Sequence, residues 1–163
     1  MTGASDMRDL YQEVIIDHGR NPRNFGKLEN ANRSAEGDNP MCGDRLTVYL
    51  HIDDDGVVDG TSFEGHGCAI STASASLMTE MVKGRTRAEA LALFRRLHEM
   101  ATGRPPEDDA GAEPVDEKVL EEVAGKLEVL SGVREYPMRV KCATLPWHTM
   151  KAAMAGEDST TTE

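Results

Sequence analysis

The sequence predicts an α+β domain, in which a small antiparallel sheet of about three strands packs against several helices. Two observations carry that class. Leu46, Val48, Leu50 and Ile52 alternate with Thr47, Tyr49 and His51, which is the period of a half-buried strand. From Ala69 onward the period becomes helical, with Ile70, Ala73, Leu77 and Met81 at helix spacings. Strands first and helices afterwards make a layered α+β arrangement.

The elements follow in chain order. Residues 1–6 read as a flexible leader, and Met7 to His18 as an amphipathic helix with Leu10, Val14 and Ile15 on its apolar stripe. Gly19 and Asn21-Pro22 stop that helix, and His18 is placed at its end. A turn-rich connection leads to a short strand near Arg33–Gly37. The central strand, Leu46–Ile52, is joined through Asp53-Asp54-Asp55-Gly56 to a partner strand over Val57–Glu64. The acidic tip lacks the twelve-residue ligand pattern of a calcium loop. The helix from Ala69 ends at Gly84, and Thr86 caps another over Arg87–Thr102. Residues 103–114, with Pro105-Pro106 and an acidic run, form a surface insertion. Val115–Leu130 reads as one helix or a pair, and Val133–Arg139 as irregular around Pro137. The last helix is expected over Thr144–Met154 with Pro146 in its first turn. Residues 7–155 thus make a single domain, and 156–163 a flexible tail.

With 163 residues the chain is long enough to bury a core. Its 18 basic and 29 acidic residues leave a net charge of −11. That balance argues against nucleic acid and anionic membranes as partners, because both demand clustered Lys and Arg. No apolar run approaches transmembrane length, and the polar N-terminus does not resemble a secretory signal. Free thiols without a signal point to the reducing cytoplasm.

The 3 cysteines carry the chemistry. Cys42 lies in Asn39-Pro40-Met41-Cys42-Gly43-Asp44, Cys68 in Gly65-His66-Gly67-Cys68-Ala69, and Cys142 in Arg139-Val140-Lys141-Cys142-Ala143. An odd count cannot close into disulfides without a remainder. Any one of these cysteines alone is as well read as a small buried hydrophobe. Together, each beside glycine or charge and none inside an apolar run, they read as ligands. Asp44, two residues after Cys42, completes a four-ligand set, and Gly43 lets the backbone bend toward a shared ion. Cys68 opens a helix, where the dipole favours a thiolate, and Arg139 and Lys141 are expected to lower the Cys142 pKa. The spacing is not that of a zinc finger. Of the histidines, His66 is the nearest in sequence to a cysteine, while His18, His51, His98 and His148 are scattered. No Cys–His–Asn signature of a thiol hydrolase is present.

These motifs resemble the SufU proteins, relatives of IscU and of the NifU N-terminal domain. The resemblance runs from Leu10-Tyr11-x-x-Val14-Ile15-x-Asp17-His18 and Asn21-Pro22-Arg23-Asn24 through the Cys42 motif. It continues over Phe63-Glu64-Gly65-x-Gly67-Cys68-x-Ile70-Ser71 to Arg139-x-Lys141-Cys142-Ala143-x-Leu145-x-Trp147. IscU-type scaffolds carry a His immediately before the third cysteine, where this chain has Lys141, and the 103–114 excursion matches a SufU-type insertion. Both features favour SufU. The resemblance implies a zinc ion on Cys42, Asp44, Cys68 and Cys142, with Arg139 near the metal. It further implies sulfur acceptance from a SufS-type, pyridoxal-phosphate-dependent cysteine desulfurase and delivery to a SufBCD-type scaffold. Cys42 is expected to be the acceptor, since its Gly-flanked loop moves most easily, and Asp44 supplies an exchangeable oxygen that helps the site open. Two other readings stand beside this one. In the first, an iron–sulfur cluster is assembled transiently on the same residues. In the second, a structural zinc module only docks partners.

Overall fold

Main-chain pairing organises the chain around one sheet. The computed structural model describes residues 3–104 and 115–161. Strands β1 (Arg33–Asn39), β2 (Asp44–Ile52) and β3 (Val57–His66) form an antiparallel meander. The two-residue β4 (Arg85–Thr86) adds to β3, and β5 (Ser159–Thr161) runs parallel to β1, giving the order β4-β3-β2-β1-β5. Alternation works as expected: Leu46, Val48 and Leu50 of β2 are buried, together with Ala35 of β1 and Val58 of β3. At the acidic tip the Asp53 carboxylate accepts the N–H groups of Asp55 and Val57, both at 2.9 Å, so it builds the hairpin turn.

Helices α2 (Ala69–Val82) and α5 (Pro137–Met154) supply the apolar layer over this sheet, through Leu77, Met78, Met81, Leu145, Trp147 and Met150. Small residues bring the two helices close. The buried Ser74 hydroxyl donates to the Ala143 carbonyl at 2.6 Å and accepts the Trp147 indole N–H at 3.2 Å. Gly37 of β1 lies under α5, where an added Cβ would sit 1.9 Å from Thr149 Oγ1. Helix α1 (Gly3–Arg20) lies along α2, and His18 in its last turn has a buried ring bonded to Ser76 Oγ at 2.7 Å. Helix α3 (Arg87–Thr102) starts with a reciprocal Thr86–Glu89 capping box and stops at left-handed Gly103. Helix α4 (Glu117–Ala124), capped by Asp116, leads into a 3-10 segment over Gly125–Glu135. Among the described residues no helix is long and apolar enough to cross a membrane.

Several expectations need correction. The sheet has five strands rather than three, because β4 and β5 are too short to leave a periodic signal. The segment expected as a tail contributes β5, whose polar residues pair with the otherwise open edge of β1 through main-chain groups. Helix α1 begins at Gly3, within the segment read as a leader, since no proline interrupts residues 3–20. The last helix starts seven residues early. Pro137 takes its first position, where a missing N–H costs nothing, and Pro146 falls in the interior. Lacking an N–H, Pro146 cannot donate to the Cys142 carbonyl one turn back. The 103–114 insertion lies outside the described residues apart from Gly103 and Arg104.

Candidate metal centre

Asp44 and the cysteines reach one place from three elements. The first is the tip of the β1–β2 hairpin. Asn39 and Asp44 are paired across the ladder, so residues 40–43 form the loop. The Asn39 carbonyl accepts the N–H groups of Cys42 at 3.1 Å and Gly43 at 2.9 Å. Gly43 closes the loop at φ 74°, in the left-handed region that favours glycine. Cys42 is therefore exposed on a tight tip. Asp44 begins β2 in the same inward row as Leu46, Val48 and Leu50, and its carboxylate is only 2% exposed.

The second element is the start of α2. Cys68 is its N-cap: Sγ accepts the Ser71 N–H at 3.5 Å, and the Cys68 N–H donates to Asp44 Oδ1 at 2.9 Å. The Cys68 sulfur lies 4.0 Å from Asp44 Oδ2. Gly67 makes this approach possible, because a Cβ there would stand 2.8 Å from Asp44 Oδ1 and 2.5 Å from Ser71 Oγ. The third element is α5, whose second turn carries Cys142, 2% exposed. Cys142 is thus inside a helix rather than just before one.

One ligand atom each from Cys42, Asp44 and Cys142 lie within 4.8 Å of one another. Cys68 does not meet that distance to all three, but it adjoins Asp44 and Cys142. Burial first, then the neighbouring Asp44, Cys68 and Cys42 groups, push the Cys142 thiol well above the ordinary thiol range. This reverses the expectation of a lowered pKa. Arg139 is exposed, with its guanidinium 5.3 Å from the Tyr136 ring centre, and charge at the surface does not offset desolvation in the core. The donor set itself fits a metal: three thiols and one carboxylate match a tetrahedral centre for a divalent cation that prefers sulfur. A cation among them would reverse the upward pressure on Cys142 and hold it as thiolate.

The centre opens onto a depression of about 520 Å³ walled by Ile15, Ile16, Ile70, Met138 and Arg139. The three cysteines and Arg139 thus line one depression, and Asp44 is bonded to the Cys68 N–H. His66 ends β3 opposite Arg45, exposed and outside the cluster. Sequence reasoning passed over Asn39 and Gly67. Their signal was their place inside the cysteine motifs, a turn-forming Asn before the hairpin tip and a glycine where a carboxylate must come close.

A small α+β domain that presents thiols and a carboxylate from a hairpin tip and two helices is a metal- or sulfur-handling module. The family of the NifU-like N terminal domain matches residues 10–143, and the chain belongs to it. It is 37% identical to the zinc-dependent sulfurtransferase SufU of Bacillus subtilis over 158 residues, covering 97% of this chain and 98% of the relative. It is 39% identical to the iron–sulfur cluster assembly scaffold protein IscU of Thermotoga maritima over 145 residues, covering 89% and 92%. Among solved structures, an assembly scaffold protein for the SUF system from Fervidobacterium islandicum superposes with a TM-score of 0.70 at 37% identity, over 90% of this chain and 98% of that one.

Proposed function

We propose that this chain is a zinc-dependent sulfurtransferase that accepts sulfur as a persulfide and carries it in iron–sulfur cluster assembly. Cys42, Asp44, Cys68 and Cys142 hold the zinc. Zinc has no redox chemistry of its own, and when bound it keeps thiols deprotonated and oriented. The donor is a SufS-type, pyridoxal-phosphate-dependent cysteine desulfurase, and the receiver a SufBCD-type scaffold. Free thiols suit a cytoplasmic site of action. The observation that carries this reading is the exposed Cys42 tip set against the buried Asp44 and Cys142, all within 4.8 Å.

In the transfer step the Cys42 thiolate attacks the terminal sulfur of a donor persulfide. A sulfur–sulfur bond forms on Cys42 as the donor's own sulfur–sulfur bond breaks. The donor leaves as a thiolate and the terminal proton stays with the transferred sulfur, so no external oxidant or reductant is consumed. Arg139, at the rim, offers a positive charge to the donor thiolate as it leaves.

Mass spectrometry after incubation with a SufS-type desulfurase and cysteine tests the assignment. One added sulfur is expected on Cys42, and none on Cys42→Ala, which stays folded. Sulfur found on Cys68 or Cys142, with Cys42→Ala accepting at the wild-type rate, overturns the choice of Cys42. The carboxylate in the donor set and the scaffold-named relatives favour a second reading, in which an iron–sulfur cluster is built on the same residues. A brown protein with stoichiometric iron and sulfide after anaerobic reconstitution would support it, and a colourless protein with one zinc per chain supports the first.

A further inference from the structure

Asn39 sits at the base of the hairpin tip and is completely buried, at 0% exposure. Its main chain holds Cys42, through the carbonyl that accepts the Cys42 and Gly43 N–H groups. Its side chain does something else. The Nδ2 amide faces Cys142 Sγ across 4.0 Å, while Oδ1 is buried without any hydrogen-bond partner. An Asn that opens a turn ordinarily folds its side-chain oxygen back onto a main-chain N–H two residues on. Here the amide has given up that bond and points instead at a sulfur 103 residues away. A thiolate accepts hydrogen bonds and cannot donate one, so the N–H₂ end of the amide is the end that must face it.

We propose that Asn39 is a positioning residue of the metal centre, whose amide N–H steadies the Cys142 thiolate and so tightens metal binding. The inference rests on the zinc reading given above. Groups that donate to metal ligands orient them and tune their electron density, and their loss typically weakens metal affinity by roughly 10–100-fold. The orphaned oxygen is the counterpart of that role. A residue retained only for stability would not bury an unsatisfied carbonyl beside an apolar core.

Asn39→Leu separates the two possibilities. Leu keeps the branched shape and the main-chain carbonyl that holds Cys42, but removes both the donor and the orphaned oxygen. Metal-free Asn39→Leu should melt at or above the wild-type temperature, whereas its zinc affinity, measured by competition with a chromophoric chelator, should fall about 10–100-fold. With Co²⁺ in place of zinc, the sulfur-to-metal charge-transfer band should move to longer wavelength, because a sulfur relieved of its N–H donor gives up electron density more easily. Zinc affinity within twofold of wild type, with an unmoved band, overturns the inference. Asn39→Ala is read by the same two measurements where Leu does not fold. A wild-type protein that binds no zinc overturns the zinc reading itself, a different result from a binding wild type with an indifferent variant.

Discussion

Gly67→Ala should damage the metal centre without touching a ligand. A Cβ at position 67 would lie 2.5 Å from Ser71 Oγ, 2.8 Å from Asp44 Oδ1 and 3.2 Å from Asp44 Cγ. The Ser71 hydroxyl can turn away. Asp44 has no such freedom, since its side chain is buried and Oδ1 is bonded to the Cys68 N–H. The new methyl therefore forces the carboxylate to rotate and gives up that charge-assisted bond, worth about 1.5–3 kcal/mol. At about 2–4 °C per kcal/mol for a chain of this size, the metal-free variant should melt roughly 3–12 °C below wild type. Zinc affinity should fall with it, because the rotated carboxylate is one of the four proposed ligands. Differential scanning calorimetry on chelated protein and zinc competition titration measure the two effects separately. Gly132→Ala is the control, as a Cβ there meets nothing within 4 Å. A Gly67→Ala protein that melts within 1 °C of wild type and binds zinc equally well would refute the close approach of Asp44 to Gly67.

Two further outcomes follow from the same contacts. Chelation of the wild-type protein should lower its melting temperature by about 5–10 °C, since a ligand at a hundredfold its Kd contributes about 2.7 kcal/mol, and an unchanged melt after verified metal loss would place the metal outside the fold. The His148 ring, held down to a pKa of about 4 by burial and then by His98 and Lys151, is neutral in the folded chain and gains its proton more readily when unfolded. Its folded value lies below the ordinary imidazole value of 6.5, so the stability it contributes is intact above pH 6.5 and is lost as pH falls toward 4. Metal-free wild type should therefore lose about 3 kcal/mol more over that interval than His148→Leu in urea titrations, and parallel losses would show the ring to be solvated.

The central hairpin was legible in the sequence because one face of β2 is buried and the other is not, so Leu46, Val48 and Leu50 alternate cleanly. Helices α2 and α3 were legible from their starts at Cys68 and Thr86 and, for α2, from the stop at Gly84. The start of α5 was not, because Pro137 and Pro146 both satisfy the local rule for a first helical turn. Tertiary packing decided between them, with Cys142, Ala143 and Trp147 all drawn into the interior. β5 left no trace, since the three polar residues Ser159–Thr161 join the sheet through main-chain pairing and the Thr161 hydroxyl, which donates to the Asp38 carbonyl at 3.1 Å. The direction of the Cys142 shift was misjudged from neighbours in sequence: Arg139 points outward over Tyr136, and the groups that matter come from β2, α2 and the hairpin tip. Asn39 and Gly67 belong to the same class, residues whose role exists only through contacts made by folding.

The choice of Cys42 as acceptor follows from what each sulfur would give up by moving. Cys142 lies in the second turn of α5, buried, so carrying an added sulfur outward would disturb the helix and the packing around it. Cys68 is exposed, yet its sulfur caps α2 through the Ser71 N–H and its own N–H anchors Asp44. Releasing it would uncap the helix, at a cost of about 1 kcal/mol. Cys42 rides on a short loop fixed at its base by the Asn39 carbonyl, and Met41 beside it is among the most exposed apolar side chains of the protein, at 63%. Movement there costs only the turn. Its sulfur also faces the depression whose rim carries Met138 and Arg139, an apolar contact and a cation on the side from which a donor must come. On the proposed reading, the buried Asp44 and Cys142 and the helix-capping Cys68 hold the centre while Cys42 leaves it, which is the division of labour that sulfur transfer requires.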